Sequence, residues 1–127
     1  MQSLRRVIML AAATVSLAAC NVDLTGIGNS VDGSYSLRTI NGYSLPYTFN
    51  NGVTVSSETL TLNRDGTFVD VARYTNGQAA TYYGYYTEQN NTIQFTDQTS
   101  QTSYQGSLNG NQLTQYLNGF TQTYQRQ

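Results

Sequence analysis

The side chains that carry out most protein chemistry are scarce in this chain. It contains no histidine, one cysteine (Cys20) and seven acidic residues among 127. Nucleophilic sites that pair serine or cysteine with histidine are therefore excluded, and so are metal sites built on histidine. The acidic residues are scattered, and none follows the ligand spacing of a calcium-binding loop. We expect no enzyme activity, no cofactor and no metal.

Asp70 is the acidic residue whose position leaves two interpretations open. It shares one face of a predicted strand with Phe68, while two valines occupy the other face. If Asp70 points into the core, its charge needs a partner or a shifted pKa, and Arg38 or Arg73 is the candidate partner. If the valines face the core instead, Asp70 faces water.

The only cysteine ends a segment with the features of a secretory signal peptide. Arg5 and Arg6 precede an apolar run over residues 7–17, and small residues stand immediately before Cys20. This order of charged, apolar and small residues is typical of a cleaved signal. The run is far shorter than the ~20 apolar residues of a membrane-spanning helix. We predict a signal peptide over residues 1–19.

The sequence Leu17-Ala18-Ala19-Cys20 resembles the lipobox of bacterial lipoproteins. The resemblance implies that Cys20 is lipidated on sulfur and becomes the first residue of the mature chain. Two or more acyl chains hold a protein firmly to a membrane. The next residue is Asn21, whereas that family uses aspartate there for inner-membrane retention. We therefore expect a lipid-anchored protein of the cell envelope, on the outer membrane.

The charge of the mature chain argues against nucleic acid as a partner. Removing residues 1–19 leaves four arginines and seven acidic residues, a net charge of −3, and the chain has no lysine. Such a balance gives no basic surface for phosphates. With the lone thiol committed to lipid, no disulfide is available, and the fold must depend on core packing and strand pairing.

From residue 33 onward the chain consists of short alternating runs separated by turn residues. Residues 20–32 have few apolar side chains and read as a lipid anchor with a flexible tether. Residues 33–127 show the two-residue period of strands and no helical period. The predicted strands are 34–40, 43–49, 53–63, 67–74, 81–88, 91–96, 102–109, 112–117 and 120–126.

Short turns between these strands require antiparallel neighbours. We predict an all-β fold, an up-and-down meander of about eight to nine strands that closes into a small barrel, because closure removes exposed edges. Pro46 places the second strand at an edge or breaks it. Gly84 and Gly106, inside predicted strands, indicate bends or close backbone approaches.

The domain also resembles the small lipocalin-like domains of bacterial lipoproteins, over almost all of the mature chain. This resemblance implies a lipocalin-like barrel that carries a small apolar ligand. It speaks to fold rather than to activity. The residues that carry it are Gly33–Arg38, Asn41–Pro46, Leu60–Phe68, Gly84-Tyr85-Tyr86, Ile93, Phe95 and Tyr124–Arg126.

Whether the barrel can hold a ligand depends on how much of its interior is filled by its own side chains. A barrel of about eight strands holds either its own side chains or one small ligand. The large residues predicted to face inward would fill most of the space, which excludes a sizeable lipid and is compatible with a shallow pocket at the mouth. We predict a non-catalytic protein that binds a small hydrophobic or amphipathic ligand. The candidate lining residues are Tyr35, Leu37, Leu62, Phe68, Tyr82, Tyr86, Phe95 and Leu108.

The eleven tyrosines support an alternative function. Inward tyrosines with satisfied hydroxyl groups form an ordinary core. Tyr83, Tyr85 and Tyr116 are predicted to face outward instead, where aromatic rings can bind a protein or a sugar. The alternative is therefore an envelope scaffold or inhibitor-like module that binds a protein partner through these tyrosines and the loops.

Overall fold

The computed structural model describes residues 30–127. The predicted signal peptide, Cys20 and the first part of the predicted tether lie outside the described residues. The described part of the chain consists of strands and their connections. It includes no helix with the length and apolar character needed to cross a membrane.

Ten antiparallel strands form one sheet, and eight of them close into a barrel. The sheet order is β2-β1-β10-β9-β8-β7-β6-β5-β4-β3, and β1 also pairs with β4. That last pairing closes the barrel through Gly33 to Ser36 on one strand and Leu62 to Thr59 on the other. The all-β, closed antiparallel fold predicted from the alternation is confirmed. The strands are β1 Gly33–Ile40, β2 Tyr43–Ser44, β3 Tyr47–Thr48, β4 Thr54–Leu62, β5 Thr67–Tyr74, β6 Ala79–Gln89, β7 Thr92–Asp97, β8 Thr102–Asn109, β9 Gln112–Leu117 and β10 Phe120–Arg126.

The predicted second strand is broken at Pro46, as its missing N–H group requires. Its two halves are β2, which pairs with β1, and β3, which pairs with β4. The direct β1–β4 pairing covers four residue pairs only. The segment that contains β2 and β3 therefore extends the two strands beyond their direct contact, at one end of the barrel.

A β-bulge in β4 explains which of its side chains face the interior. The register with β5 shifts between Val55 and Ser57, so that one additional residue is inserted. Val55 and Glu58 are three residues apart and would face opposite sides of a regular strand. With the bulge, both are buried. The bulge thus places a carboxyl group and an apolar side chain on the same inner wall.

One half of the barrel interior is solidly packed. Phe68, Phe95 and Tyr104 form an aromatic cluster. Phe68 meets Phe95 edge to face with ring centroids 5.5 Å apart, and Phe95 stacks on Tyr104 at 5.0 Å. Tyr35 seals the end of this half, because its hydroxyl group donates to the carbonyl oxygen of Val31 at 2.6 Å. The guanidinium group of Arg126 donates to the same hydroxyl oxygen and lies 5.2 Å from the Tyr35 ring centroid. We call this half the closed half.

Candidate functional site

The other half of the barrel contains a cavity of about 630 Å³ that opens at the barrel end. This volume lies within the usual range of small-molecule sites, roughly 300–1,000 Å³. Three tyrosines, Tyr74, Tyr82 and Tyr104, line it together with apolar side chains. The apolar lining residues are Phe49, Val53, Val55, Ala72, Leu117 and Phe120.

Three carboxyl groups lie in the interior of this cavity. Glu58, Asp70 and Asp97 line it and are 8%, 7% and 5% exposed. On β5, Asp70 follows the core residue Phe68 by two positions, and Ala72 follows Asp70 in the direction of the mouth. The carboxyl groups therefore lie at the floor of the cavity, where it meets the closed half. Buried charges are costly unless they are paired or hydrogen-bonded.

Tyr124 supplies the hydrogen bond that Glu58 needs. Its fully buried hydroxyl group donates to Glu58 Oε2. The side-chain amide oxygens of Gln115 and Gln122 lie 3.3 Å and 3.4 Å from the same hydroxyl oxygen. The hydroxyl group of Tyr124, on strand β10, therefore links the carboxyl group of Glu58 at the cavity floor to the core. Among the described residues, no acceptor lies within reach of Gln115 Nε2.

Glu58 and Asp70 form a coupled pair of carboxyl groups. Burial raises the pKa of Glu58, while hydrogen bonds from Tyr124 and Asp70 counteract the increase. Burial raises the pKa of Asp70 further above its usual range, and the negative charges of Glu58 and Asp97 add to the increase. Asp70 is therefore the member of the pair whose protonated form is favoured more strongly, because burial and the neighbouring negative charges act in the same direction.

Asp97 is held differently from this pair. Its Oδ1 atom accepts hydrogen bonds from the backbone N–H groups of Thr99 and Ser100, at 2.9 Å and 3.2 Å. This carboxyl group thus organises the turn between β7 and β8 at the edge of the cavity. Two tyrosines of the cavity, Tyr82 and Tyr104, stay neutral to high pH, because burial raises the pKa of Tyr82 to about 12 and raises that of Tyr104 as well.

Aromatic rings continue from the cavity across its mouth. The rings of Phe49 and Phe120 meet edge to face, with centroids 5.2 Å apart. Tyr47 contacts Phe49 in the same way at 5.0 Å, and Tyr43 follows at 6.5 Å. The segment that contains β2 and β3 therefore covers part of the mouth with aromatic side chains, while Tyr43 itself is largely exposed.

Of the eight lining residues predicted from the sequence, Tyr82 lines the cavity. The other seven pack inside the barrel away from it: six are buried, and Tyr86 is partly buried against the core. Their inward direction follows from strand alternation, but that pattern does not separate the packed half from the open half. The seven residues are Tyr35, Leu37, Leu62, Phe68, Tyr86, Phe95 and Leu108.

The structure answers the open question about Asp70, whose side chain faces the interior. Its partner is Glu58, whereas Arg38 and Arg73 are exposed on the barrel surface. Sequence analysis treated Glu58 and Asp97 as two of the scattered acidic residues and missed them as interior groups. The signal was present, because Glu58 alternates with the leucines of β4, as Asp97 does with the apolar residues of β7.

The predicted outward tyrosines are on the surface, with Tyr83, Tyr85 and Tyr116 all more than half exposed. Tyr83 and Tyr85 are neighbours on one face of β6, whereas Tyr116 lies on β9, three strands away in the sheet. Strands are spaced about 4.8 Å apart, so roughly 14 Å separates the two groups. Binding of a protein partner at these tyrosines stays a prediction.

Carboxyl groups in a cavity also raise the question of a metal. Within residues 30–127, no three acidic or cysteine side chains are grouped closely enough to hold a metal ion. The cavity floor therefore has the character of a charged hydrogen-bonding surface. Its chemistry is to accept hydrogen bonds and to neutralise a positive charge.

No protein-family model matches this chain, and no curated protein matches it. Two solved structures are similar in fold. A lipocalin-like protein from Bacteroides uniformis ATCC 8492 superposes with a TM-score of 0.54 at 14% identity, over 76% of this chain and 98% of that one. An uncharacterized protein from Bacteroides eggerthii DSM 20697 gives 0.52 at 13% identity, over 77% and 100%. The fold of this chain is therefore a lipocalin-like β-barrel.

Proposed function

We propose that this lipocalin-like barrel is a non-catalytic binding protein that holds a small hydrophobic or amphipathic ligand in its open half. The observation that carries the proposal is the cavity of about 630 Å³ at one end of the barrel. Its apolar and aromatic walls supply the contact area by which such ligands bind, and its polar floor supplies orientation. The packed closed half lies below this cavity, and Tyr104 belongs to both, because its ring packs on Phe95 and also lines the cavity.

Filling the cavity tests the proposal. Ala72 is buried and lines the cavity, so an indole ring in Ala72→Trp would occupy the ligand volume. We expect binding of the apolar fluorophore N-phenyl-1-naphthylamine to weaken by about tenfold or more, which corresponds to about 1.4 kcal/mol. The measurement is a fluorescence titration of the purified protein. The natural chain has no tryptophan, so a blue-shifted indole emission also verifies that the new ring is inside.

Val71→Trp is the matched control, because Val71 precedes Ala72 on β5 and alternation directs its side chain to the outside. This variant should bind the fluorophore as the natural chain does. Failure of the natural chain to bind the fluorophore, or equal binding by Ala72→Trp and Val71→Trp with the inner indole emission blue-shifted, would rule out the cavity as the binding site.

We further propose that the barrel is anchored to the bacterial envelope through a lipid on Cys20, on the outer membrane. The lipobox-like sequence and the signal-peptide features before it support this proposal. In cells fed radioactive palmitate, the natural chain should incorporate the label and Cys20→Ser should not. A second variant that adds Ser103→Cys to Cys20→Ser places a thiol on the barrel surface and should also stay unlabelled. Label in either variant would contradict the assignment of Cys20.

A further inference from the structure

Resting on the proposed binding function, we infer that the ligand is an amphipathic amine whose ammonium group lies on the Glu58–Asp70 carboxyl pair while its apolar body fills the cavity. The inference names the ligand class, because the cavity alone accommodates neutral, anionic and cationic amphiphiles of the same size. The distribution of charge and of unsatisfied hydrogen-bonding groups distinguishes among the three.

The charge of the lining is of one sign. Among the described residues that line the cavity, Glu58, Asp70 and Asp97 are the charged ones, and no arginine is included. An anionic head group would therefore meet repulsion at the floor, and a neutral one would leave the buried charge without a counterion. A cation is attracted, and in a low-dielectric cavity that attraction is stronger than in water.

The cavity floor also contains a buried hydrogen-bond acceptor to which no described group donates. No N–H or O–H group of the described residues donates a hydrogen bond to Asp70 Oδ1, although this atom is buried. Such an atom costs free energy in the absence of a ligand. Glu58 has a different environment, since the Tyr124 hydroxyl group already donates to its Oε2. An ammonium group brings three donors and satisfies the remaining oxygen atoms of the pair.

The position of the ammonium group follows from the hydrogen bonds already made. Asp97 accepts two backbone N–H groups through Oδ1, whereas Asp70 Oδ1 is, among the described residues, the buried carboxyl oxygen without a donor. The adjacent walls favour a cation as well, because Tyr82 and Tyr104 line the same cavity and aromatic rings attract cations. The apolar body of the ligand would contact Val55, Ala72 and Leu117 nearer the mouth.

The test compares three eight-carbon probes that differ only in the head group: octylamine, octanol and octanoate. Isothermal titration calorimetry of the purified protein at neutral pH gives each affinity. We expect octylamine to bind at least tenfold more tightly than octanol, and octanoate to bind most weakly. Charge-assisted hydrogen bonds have the strength for such a difference.

The matching variant is Glu58→Gln combined with Asp70→Asn, which keeps the shapes of both side chains and their ability to hydrogen-bond to each other. It removes the negative charge of the pair. Octylamine should then bind at least tenfold more weakly, while octanol binding should stay within about twofold of the natural chain. Glu88→Gln is the control, because it removes one charge from an exposed residue and should leave all three affinities unchanged.

Two kinds of negative result are distinguishable. Equal affinity for octylamine and octanol, or octylamine binding that is unchanged in the double variant, would overturn the amine assignment and leave the binding function intact. Absence of binding for all three probes and for N-phenyl-1-naphthylamine would overturn the binding function itself.

Discussion

Replacing Gly84 by alanine is expected to lower the free energy of unfolding by about 3 kcal/mol, the upper part of the range for overpacked interiors. Gly84 lies inside β6 with ordinary strand geometry. At such a position, alanine normally stabilises a protein by about 0.4–1 kcal/mol, because it restricts the unfolded chain. At position 84, the crowded surroundings make the substitution destabilising instead.

A Cβ atom at position 84 would lie 2.0 Å from the backbone oxygen of Thr96 and 2.7 Å from the ring of Phe68. The oxygen belongs to β7, which pairs with β6 over six residue pairs. It cannot retreat without breaking that ladder, and the Phe68 ring is fixed by its edge-to-face contact with Phe95. Neither neighbour can move away without losing these contacts, so the clash is expected to be destabilising.

Urea unfolding followed by far-ultraviolet circular dichroism measures this effect. Gly77→Ala is the control, because Gly77 has a φ of +88° and a Cβ atom added there would meet nothing within 4 Å, so its cost is backbone strain alone. That cost is about 1 kcal/mol. If Gly84→Ala were as stable as the natural chain, or less affected than Gly77→Ala, the close approach of β6 and β7 would be wrong.

Replacing Asp70 by asparagine is expected to stabilise the free protein at neutral pH, by on the order of 2 kcal/mol, because ionisation of Asp70 favours the unfolded chain and asparagine cannot ionise. Burial and the charges of Glu58 and Asp97 raise the pKa of Asp70 in the folded state. The folded chain therefore binds more protons than the unfolded chain above the ordinary pKa of 3.8. Stability contributed by this group is complete below that pH and declines as the pH rises through the raised pKa.

Asparagine has no proton to lose, yet its amide group can still donate a hydrogen bond to Glu58. The variant should therefore lose much of the decline in stability between pH 4 and neutral pH. The remaining dependence comes from Glu58, whose pKa is also raised by burial. Thermal unfolding of the natural chain and the variant, measured at a series of pH values from 4 to 8, gives the comparison.

Asp65→Asn is the control, because the pKa of Asp65 is shifted in the direction opposite to that of Asp70. Asp65 is an exposed turn residue, and hydrogen bonds from the hydroxyl and backbone N–H groups of Thr67 lower its pKa. Its contribution to stability is present above pH 3.8 and is lost as the pH falls. Removing it should therefore give no gain at neutral pH. A pH profile of Asp70→Asn that is parallel to that of the natural chain would contradict the burial of a protonated Asp70.

Much of the fold was predictable because strand alternation and turn chemistry are local. In the tight turns, Gly66, Asn118 and Gly119 have the positive φ values that glycine and asparagine favour. Strands β5, β8, β9 and β10 begin and end where the alternation predicts. The break at Pro46 and the close approach at Gly84 also follow from the residue types. These features need only near neighbours in the chain.

Residue types and their order are enough to specify which strand faces are apolar, which residues turn the chain, and that histidine and thiol chemistry is absent from the barrel. Where the interior is full and where it is open depends on how the closed sheet packs. Glu58 meets Tyr124, which is 66 residues away, because the sheet closes and brings β10 and β4 to opposite sides of β1. Strand alternation predicts that a side chain points inward, whereas bulges and strand pairing determine which inward side chains come into contact. The cavity and its acidic floor are products of closure.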